Sequence, residues 1–121
     1  MNYDDNNIFA KILRGEIPCS KIYEDNYVLS FYDINPQKKI HALVIPKGKY
    51  VDLDDFNTNA SNDEIIGLMK GITTVAKKLG ISSIDGKGYR ALANISDYGG
   101  QEVPHLHFHL FGGEKVGKMV S

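Results

Sequence analysis

The sequence has little of what several classes of protein require. Cys19 is the only cysteine among 121 residues, so no internal disulfide can form. A reducing compartment is expected, and a catalytic thiol would need a histidine partner brought to it by the fold; the alternative is that Cys19 is structural or incidental. There is no tryptophan, and the only arginines are Arg14 and Arg90, which weakens any guanidinium-based clamp on phosphate. No apolar run approaches the ~20 residues of a membrane span. The opening "MNYDDNNIF" is acidic and polar, without the basic start and apolar stretch of a signal peptide. A cytoplasmic protein is therefore expected, where the glycosylation patterns at Asn59 and Asn94 have no consequence. Basic and acidic residues nearly balance, for a net charge of −1. Bulk charge then holds neither a nucleic acid nor a membrane surface.

What is present is ordinary for a globular protein, with 42% hydrophobic and 24% charged residues. The length suits one domain over residues 1–121 with a core of its own. "NNIFAKILRGEIP" reads as a short helix with Ile8, Phe9, Ile12 and Leu13 on one face, Asn6 as the cap, and Gly15 and Pro18 at its end. Two β-rich runs flank the turn pair Asp25-Asn26 and predict a hairpin from about Lys21 to Ile34. "IHALVIP" is a strand stopped by Pro46. Residues 52–59 are polar and read as a loop or a single helical turn. The clearest helix starts at Ser61, which forms a capping box with Glu64. Ile65, Met69, Ile72, Val75, Ala76 and Leu79 follow at helical spacing, which places Met69 in the core. Gly80 suits the position after the helix. A strand is expected from about Tyr89, then a loop, then a last strand ending in the polar tail "GGEKVGKMVS". Gly86 and Gly88 make a weak phosphate-loop signal, lacking a strand before and a helix after. Hairpin-linked strands with few helices predict an α+β fold, an antiparallel sheet packed by helix.

The chemistry is concentrated in "VPHLHFHLF". Side chains alternate faces along a strand, so His105, His107 and His109 share one face while Leu106, Phe108 and Leu110 share the core side. The imidazoles then face solvent, a pocket or a ligand. Three readings follow. The plainest is a polar outer face. The second is a metal site with His41 as a further ligand, although the outer two Cα atoms of a flat strand lie about 13–14 Å apart and zinc wants every nitrogen at ~2.0–2.1 Å. The third is nucleophilic and acid–base chemistry on phosphorus. A neutral imidazole is a competent nucleophile near pH 7, and its neighbours can hold its tautomer or protonate a leaving group. Gly99-Gly100-Gln101 lies just upstream, where glycine lets backbone amides approach an anion.

"HLHFHLF" resembles the signature of the histidine triad (HIT) family. With it, "IFAKILRGEIPCSKIYEDNYVLSFYDINP", "HALVIPK" and "GYRALANISDYGGQEV" are similar, in order, to the Hint-like branch of nucleoside phosphoramidases over about residues 8–113. The resemblance implies a five-stranded antiparallel sheet with one long and one short helix. It also implies a homodimer whose two sheets join, with the long helix at the interface. The activity implied is hydrolysis of purine nucleoside 5′-phosphoramidates to the purine nucleoside monophosphate, without cofactor or metal. By the same resemblance, His107 is the nucleophile, and the His105 carbonyl fixes its ring through one nitrogen. His109 and His41 support the phosphate. Asn94, Gly100, Gln101 and Glu102 lie near phosphate or ribose, Asp33 and Ile34 contact the ribose, and Ile8, Phe9, Ile12, Phe31 and Leu43 wall the purine. Glu102 stands where some members carry Ser or Thr. Two other functions stay open: a metal-dependent phosphoesterase using the histidines as ligands, and a catalytically silent nucleotide-binding regulatory module.

Overall fold

A computed structural model describes residues 2–119; the last two residues of the expected polar tail lie outside it. The chain opens with α1 (Ile8–Leu13), followed by the hairpin strands β1 (Lys21–Glu24) and β2 (Val28–Tyr32) and by β3 (Ile40–Pro46). Two helices come next, α2 (Leu53–Asn59) and α3 (Asn62–Lys78), and then β4 (Arg90–Leu92) and β5 (Phe108–Gly112). The five strands form one sheet in the order β1-β2-β3-β5-β4, every neighbouring pair antiparallel. The expected five-stranded antiparallel α+β fold is what the chain adopts.

Both faces of the sheet are covered, which a single packed side does not require. On one face α3 presses Leu68, Ile72 and Val75 against Val28, Ala42, Val44 and Leu110. On the other, Phe9 of α1 meets Phe31 edge-on at 5.6 Å within a cluster that includes Leu29, Leu43 and Ile45. β3 lies in the middle, with every residue after Ile40 buried, and so reads as a near-continuous apolar run.

Several local expectations shift. The cap of α1 is Asn7, not Asn6: its side chain accepts from the Ala10 N–H at 2.9 Å. Residues 53–59 form a true helix, because Asp52 caps it through the Asp55 N–H at 2.8 Å and Phe56, 1% exposed, anchors it. One aromatic among polar residues carries no visible period, so the helix was hidden. The capping box at Ser61 and Glu64 is present, and Gly80 takes the left-handed backbone at φ +72° that ends a helix. Met69, expected in the core, is 47% exposed. The buried stripe of α3 is rotated towards Leu68, Gly71, Ile72, Val75 and Ala76. Gly67 and Gly71 set this rotation, since a Cβ at Gly67 would stand 2.6 Å from the Tyr27 ring and one at Gly71 would stand 3.0 Å from Val28. The helix seats its glycines on β2, and Met69 turns outward.

The last strand starts later than its alternation suggests. β5 begins at Phe108, so only His109 of the triad is a strand residue. His105 and His107 sit in an extended lead-in that bends after Val103-Pro104. There the His105 N–H donates to the Val103 carbonyl and the Leu106 N–H to the Tyr50 carbonyl, each at 2.9 Å. No helix among the described residues is long and apolar enough to cross a membrane.

Candidate active site

The bend after Pro104 gives the three triad histidines different surroundings. His105 is fully buried, not facing a pocket. Its Nε2–H donates to the Pro46 carbonyl at 2.9 Å, and its Nδ1 accepts from the Tyr3 hydroxyl at 2.6 Å. Both nitrogens are used, and burial pushes its pKa down to about 4. His107 donates Nδ1–H to the His105 carbonyl at 2.7 Å. Its Nε2 has no partner, and no buried side-chain nitrogen or oxygen among the described residues lacks one, so Nε2 opens into a cavity. Burial lowers the His107 pKa, opposed by the bond to His105 and by the charges of Asp33 and Glu102.

His109 and His41 form a relay beside it. The Gln37 N–H donates to His41 Nδ1 at 3.2 Å, which leaves the proton on His41 Nε2. That nitrogen lies 2.9 Å from His109 Nδ1, so His109 accepts there and carries its own proton on Nε2. Register explains the meeting: His41 pairs with Phe111 and Leu43 with His109 across β3 and β5, putting all four on one face. Phe111 backs both rings, 4.3 Å from His41 and stacked 5.7 Å from His109. Burial lowers the His41 pKa, with the nearby Asp33 opposing. Burial and the neighbouring His107 and His41 press His109 down to about 4.

The cavity holds about 400 Å³, within the usual ~300–1,000 Å³ of small-molecule sites. Of the residues singled out from sequence, Phe9, Asp33, His41, Leu43, Asn94, Gly100, Glu102, His107 and His109 line it. The structure does not bring Ile8, Ile12, Phe31, Ile34, Gln101 or His105 to its wall. Ile34 is 86% exposed and Ile8 faces outward on α1, while Phe31 and Ile12 pack into the cluster behind Phe9. Gln101 ties the loop together instead: its amide donates to the carbonyls of Val51 at 2.7 Å and Val103 at 3.0 Å and accepts from the Ser96 N–H. The expected anion cradle at Gly100 and Gln101 is also altered, because both amides close the turn onto Asp97 and Ser96. Asn35, Gln37, Leu92, Val103 and Phe111 line the cavity unforeseen. Phe111 was findable, since it continues the two-residue alternation of the triad; the others come from loops and a neighbouring strand.

Asp33, His41 and His109 bring ligand atoms within 4.8 Å of one another. This donor set differs from the one the histidine row suggested, because His105 is committed to Tyr3 and Pro46.

The HIT domain family model matches residues 14–116, a span that contains β1 to β5 and the whole histidine segment. The chain belongs to the HIT family. It is 51% identical over 119 residues to an uncharacterized 13.2 kDa HIT-like protein of Azospirillum brasilense, covering 98% of this chain and 95% of that one. It is 39% identical over 117 residues to the purine nucleoside phosphoramidase of Escherichia coli strain K12, covering 97% and 95%. Among solved structures, the HIT family hydrolase from Clostridium thermocellum superposes with a TM-score of 0.85 at 36% identity, covering 98% of this chain and 99% of that one. These likenesses make this HIT protein a hydrolase at the level of the family.

Within this HIT protein, Tyr3 acts on the site without touching it. Its hydroxyl closes the chain Tyr3–His105–His107, so Tyr3→Phe leaves a buried acceptor unpaired at a cost of about 1–3 kcal/mol. The variant should unfold at lower urea concentration. It should also lower kcat more than it raises KM, because the His105 carbonyl loses its anchor. A KM rise with kcat unchanged would remove Tyr3 from that role.

Proposed function

We propose that this chain hydrolyses the P–N bond of purine nucleoside 5′-phosphoramidates through a covalent nucleotidyl-histidine intermediate. The observation that carries the reading is the His107 ring, pinned by the His105 carbonyl at 2.7 Å with Nε2 unbonded and facing the cavity. A neutral imidazole with one nitrogen fixed as donor has its lone pair on the other. That lone pair attacks the α-phosphorus and forms a P–N bond to His107 while the bond to the substrate amine breaks. The amine leaves with a proton relayed by His109, whose Nε2–H faces the cavity, or by Glu102. Water then attacks phosphorus and gives its proton back to the group that protonated the amine, the bond to His107 breaks, and the nucleoside monophosphate leaves. The Glu102 amide, which carries no hydrogen bond among the described residues, together with Asn94 and His109, stabilises the developing charge. Phe9, Leu43 and Val103 offer apolar walls to the base.

Excess chelator with adenosine 5′-phosphoramidate tests the reading. Turnover should persist, and its acid limb should lie below the ordinary imidazole value of ~6.5, because burial lowers His107 and only the neutral ring attacks. Activity already lost above pH 6.5 would count against the assignment. A second reading, a metal-dependent phosphoesterase, draws on the cluster of Asp33, His41 and His109; chelator-abolished turnover restored by zinc would favour it. Tight nucleotide binding without turnover in either condition would point to a regulatory binding module.

The chain is further proposed to pair as a homodimer. Ile66 and Met69 are half-exposed on α3, and β4 leaves an open sheet edge, a combination a second copy would cover. Equilibrium sedimentation should give twice the chain mass, falling to one in a variant with Ile66→Asp and Met69→Asp together. A monomeric wild type would remove this element. A cytoplasmic setting suits Cys19, whose thiol burial pushes up and so away from the reactive thiolate.

A further inference from the structure

The cavity meant to receive a phosphate has no lysine or arginine on its wall among the described residues. It is lined by two carboxylates, Asp33 and Glu102. The basic side chains that make ion pairs make them elsewhere: Arg14 with Glu16, Lys21 and Lys47 with Glu24, and Lys49 with Asp5. Arg90 donates to the Gly117 carbonyl. The four imidazoles do not supply the missing charge, since burial disfavours the protonated form of each. Phosphate oxygens are met here by neutral donors, so every further negative charge on the substrate adds repulsion.

The two carboxylates are not equivalent. Asp33 is half-buried and occupied, one oxygen accepting from the Asn35 N–H at 2.8 Å and the other 3.4 Å from His41 Nε2. Glu102 is exposed, and its side chain has no hydrogen-bond or ion-pair partner among the described residues. It stands on the loop that runs into the triad. His107 is 6% exposed and lies on the cavity floor. In-line displacement from a buried nucleophile sends the leaving group towards solvent, and Glu102 is the exposed carboxylate of the cavity lining.

We infer that Glu102 makes this site select its leaving group by charge, favouring amines that carry a further positive charge and disfavouring anionic groups such as polyphosphate or carboxylate-bearing amines. The inference rests on the hydrolase reading of the site, and it names the substrate class by its leaving group. A unit charge about 7 Å from a solvated carboxylate changes a rate by about two- to thirtyfold, depending on how far water screens it. Changing the sign of that charge squares the factor, to about fivefold or more in kcat/KM.

Three adenosine 5′-phosphoramidates of similar size test this, bearing 2-aminoethyl, propyl or 2-carboxyethyl on nitrogen. At low ionic strength the wild type should process the aminoethyl compound about fivefold or more faster than the carboxyethyl one in kcat/KM. Salt should shrink the ratio. Glu102→Gln should reduce it to about twofold or less, and Glu102→Lys should invert it. Turnover with an unchanged ratio in Glu102→Gln would overturn the charge selection and leave the hydrolase reading standing. If the wild type turns over none of the three, the hydrolase reading fails. The selection is then decided by calorimetric Kd values: the order aminoethyl tighter than propyl tighter than carboxyethyl supports it, and equal affinities overturn it.

Discussion

His107→Ala is expected to lower turnover of adenosine 5′-phosphoramidate by ~10⁴-fold or more, the scale on which removal of a covalent nucleophile is felt, while the variant still binds the nucleoside monophosphate. The reasons are geometric. His107 Nδ1 is engaged by the His105 carbonyl, so the ring has one free nitrogen and one role in the cavity. No other imidazole there is placed to take over: His105 has both nitrogens bonded inside the core, His41 has both engaged by Gln37 and His109, and His109 uses Nδ1 on His41. Binding should survive because Leu43 and Asn94 line the cavity and Phe9, although edge-on to the His107 ring at 4.9 Å, is also held by Phe31 at 5.6 Å. Calorimetry with the monophosphate, beside single-turnover kinetics, separates the two. Residual turnover within tenfold of wild type would exclude His107 as the nucleophile. His105→Ala is a different experiment. It deletes a fully buried ring and two hydrogen bonds, so stability is its first casualty.

The second large effect is acid lability. His105 is held neutral, its pKa pressed to about 4 by burial, whereas in the unfolded chain it takes a proton near ~6.5. Between those values the unfolded state binds the proton and the native state does not. Stability is therefore full above pH 6.5 and falls as the pH drops towards 4. The difference corresponds to roughly 3 kcal/mol from this one ring, a large share of the ~5–15 kcal/mol that holds a domain folded. Urea unfolding at pH 7.5, 5.5 and 4.5 should show that decline. His105→Gln, which cannot titrate but retains a donor and an acceptor, should be less stable at pH 7.5 yet lose less on acidification. A variant with the same pH slope as the wild type would show that His105 is not the group responsible.

Much of the fold was legible because its signals are local. The capping box at Ser61, the turn at Asp25-Asn26 and the β-branched run of Ile40 to Pro46 each need only neighbours along the chain. α2 was hidden because Asp52 and Phe56 act through one cap and one buried ring, with no period to detect. Met69 was misplaced because helical spacing defines a stripe only to within about one residue. The choice of Leu68 over Met69 was made by Gly67 and Gly71 fitting against Tyr27 and Val28, at the start of β2 and far off in sequence. At the site, alternation marked the histidines and would also have marked Phe111. It did not foresee that Gln101 spends its amide group on the loop, because that bonding depends on Val51, some fifty residues away.

By itself the sequence determined the chemistry available: four imidazoles, one carboxylate at Glu102 beside three of them, no clamp of arginines, and apolar residues at strand and helix periods that had to form one sheet under helices. Side-chain type and local periodicity are properties of the chain before it folds. Only the tertiary structure decided how the imidazoles differ. The bend after Pro104 sends His105 into the core between Tyr3 and Pro46, pins His107 through one nitrogen, and leaves His109 to meet His41 across β3 and β5. Identical rings acquire distinct tautomers and proton affinities because burial and hydrogen-bond partners belong to positions in space, and residues far apart in sequence supply them.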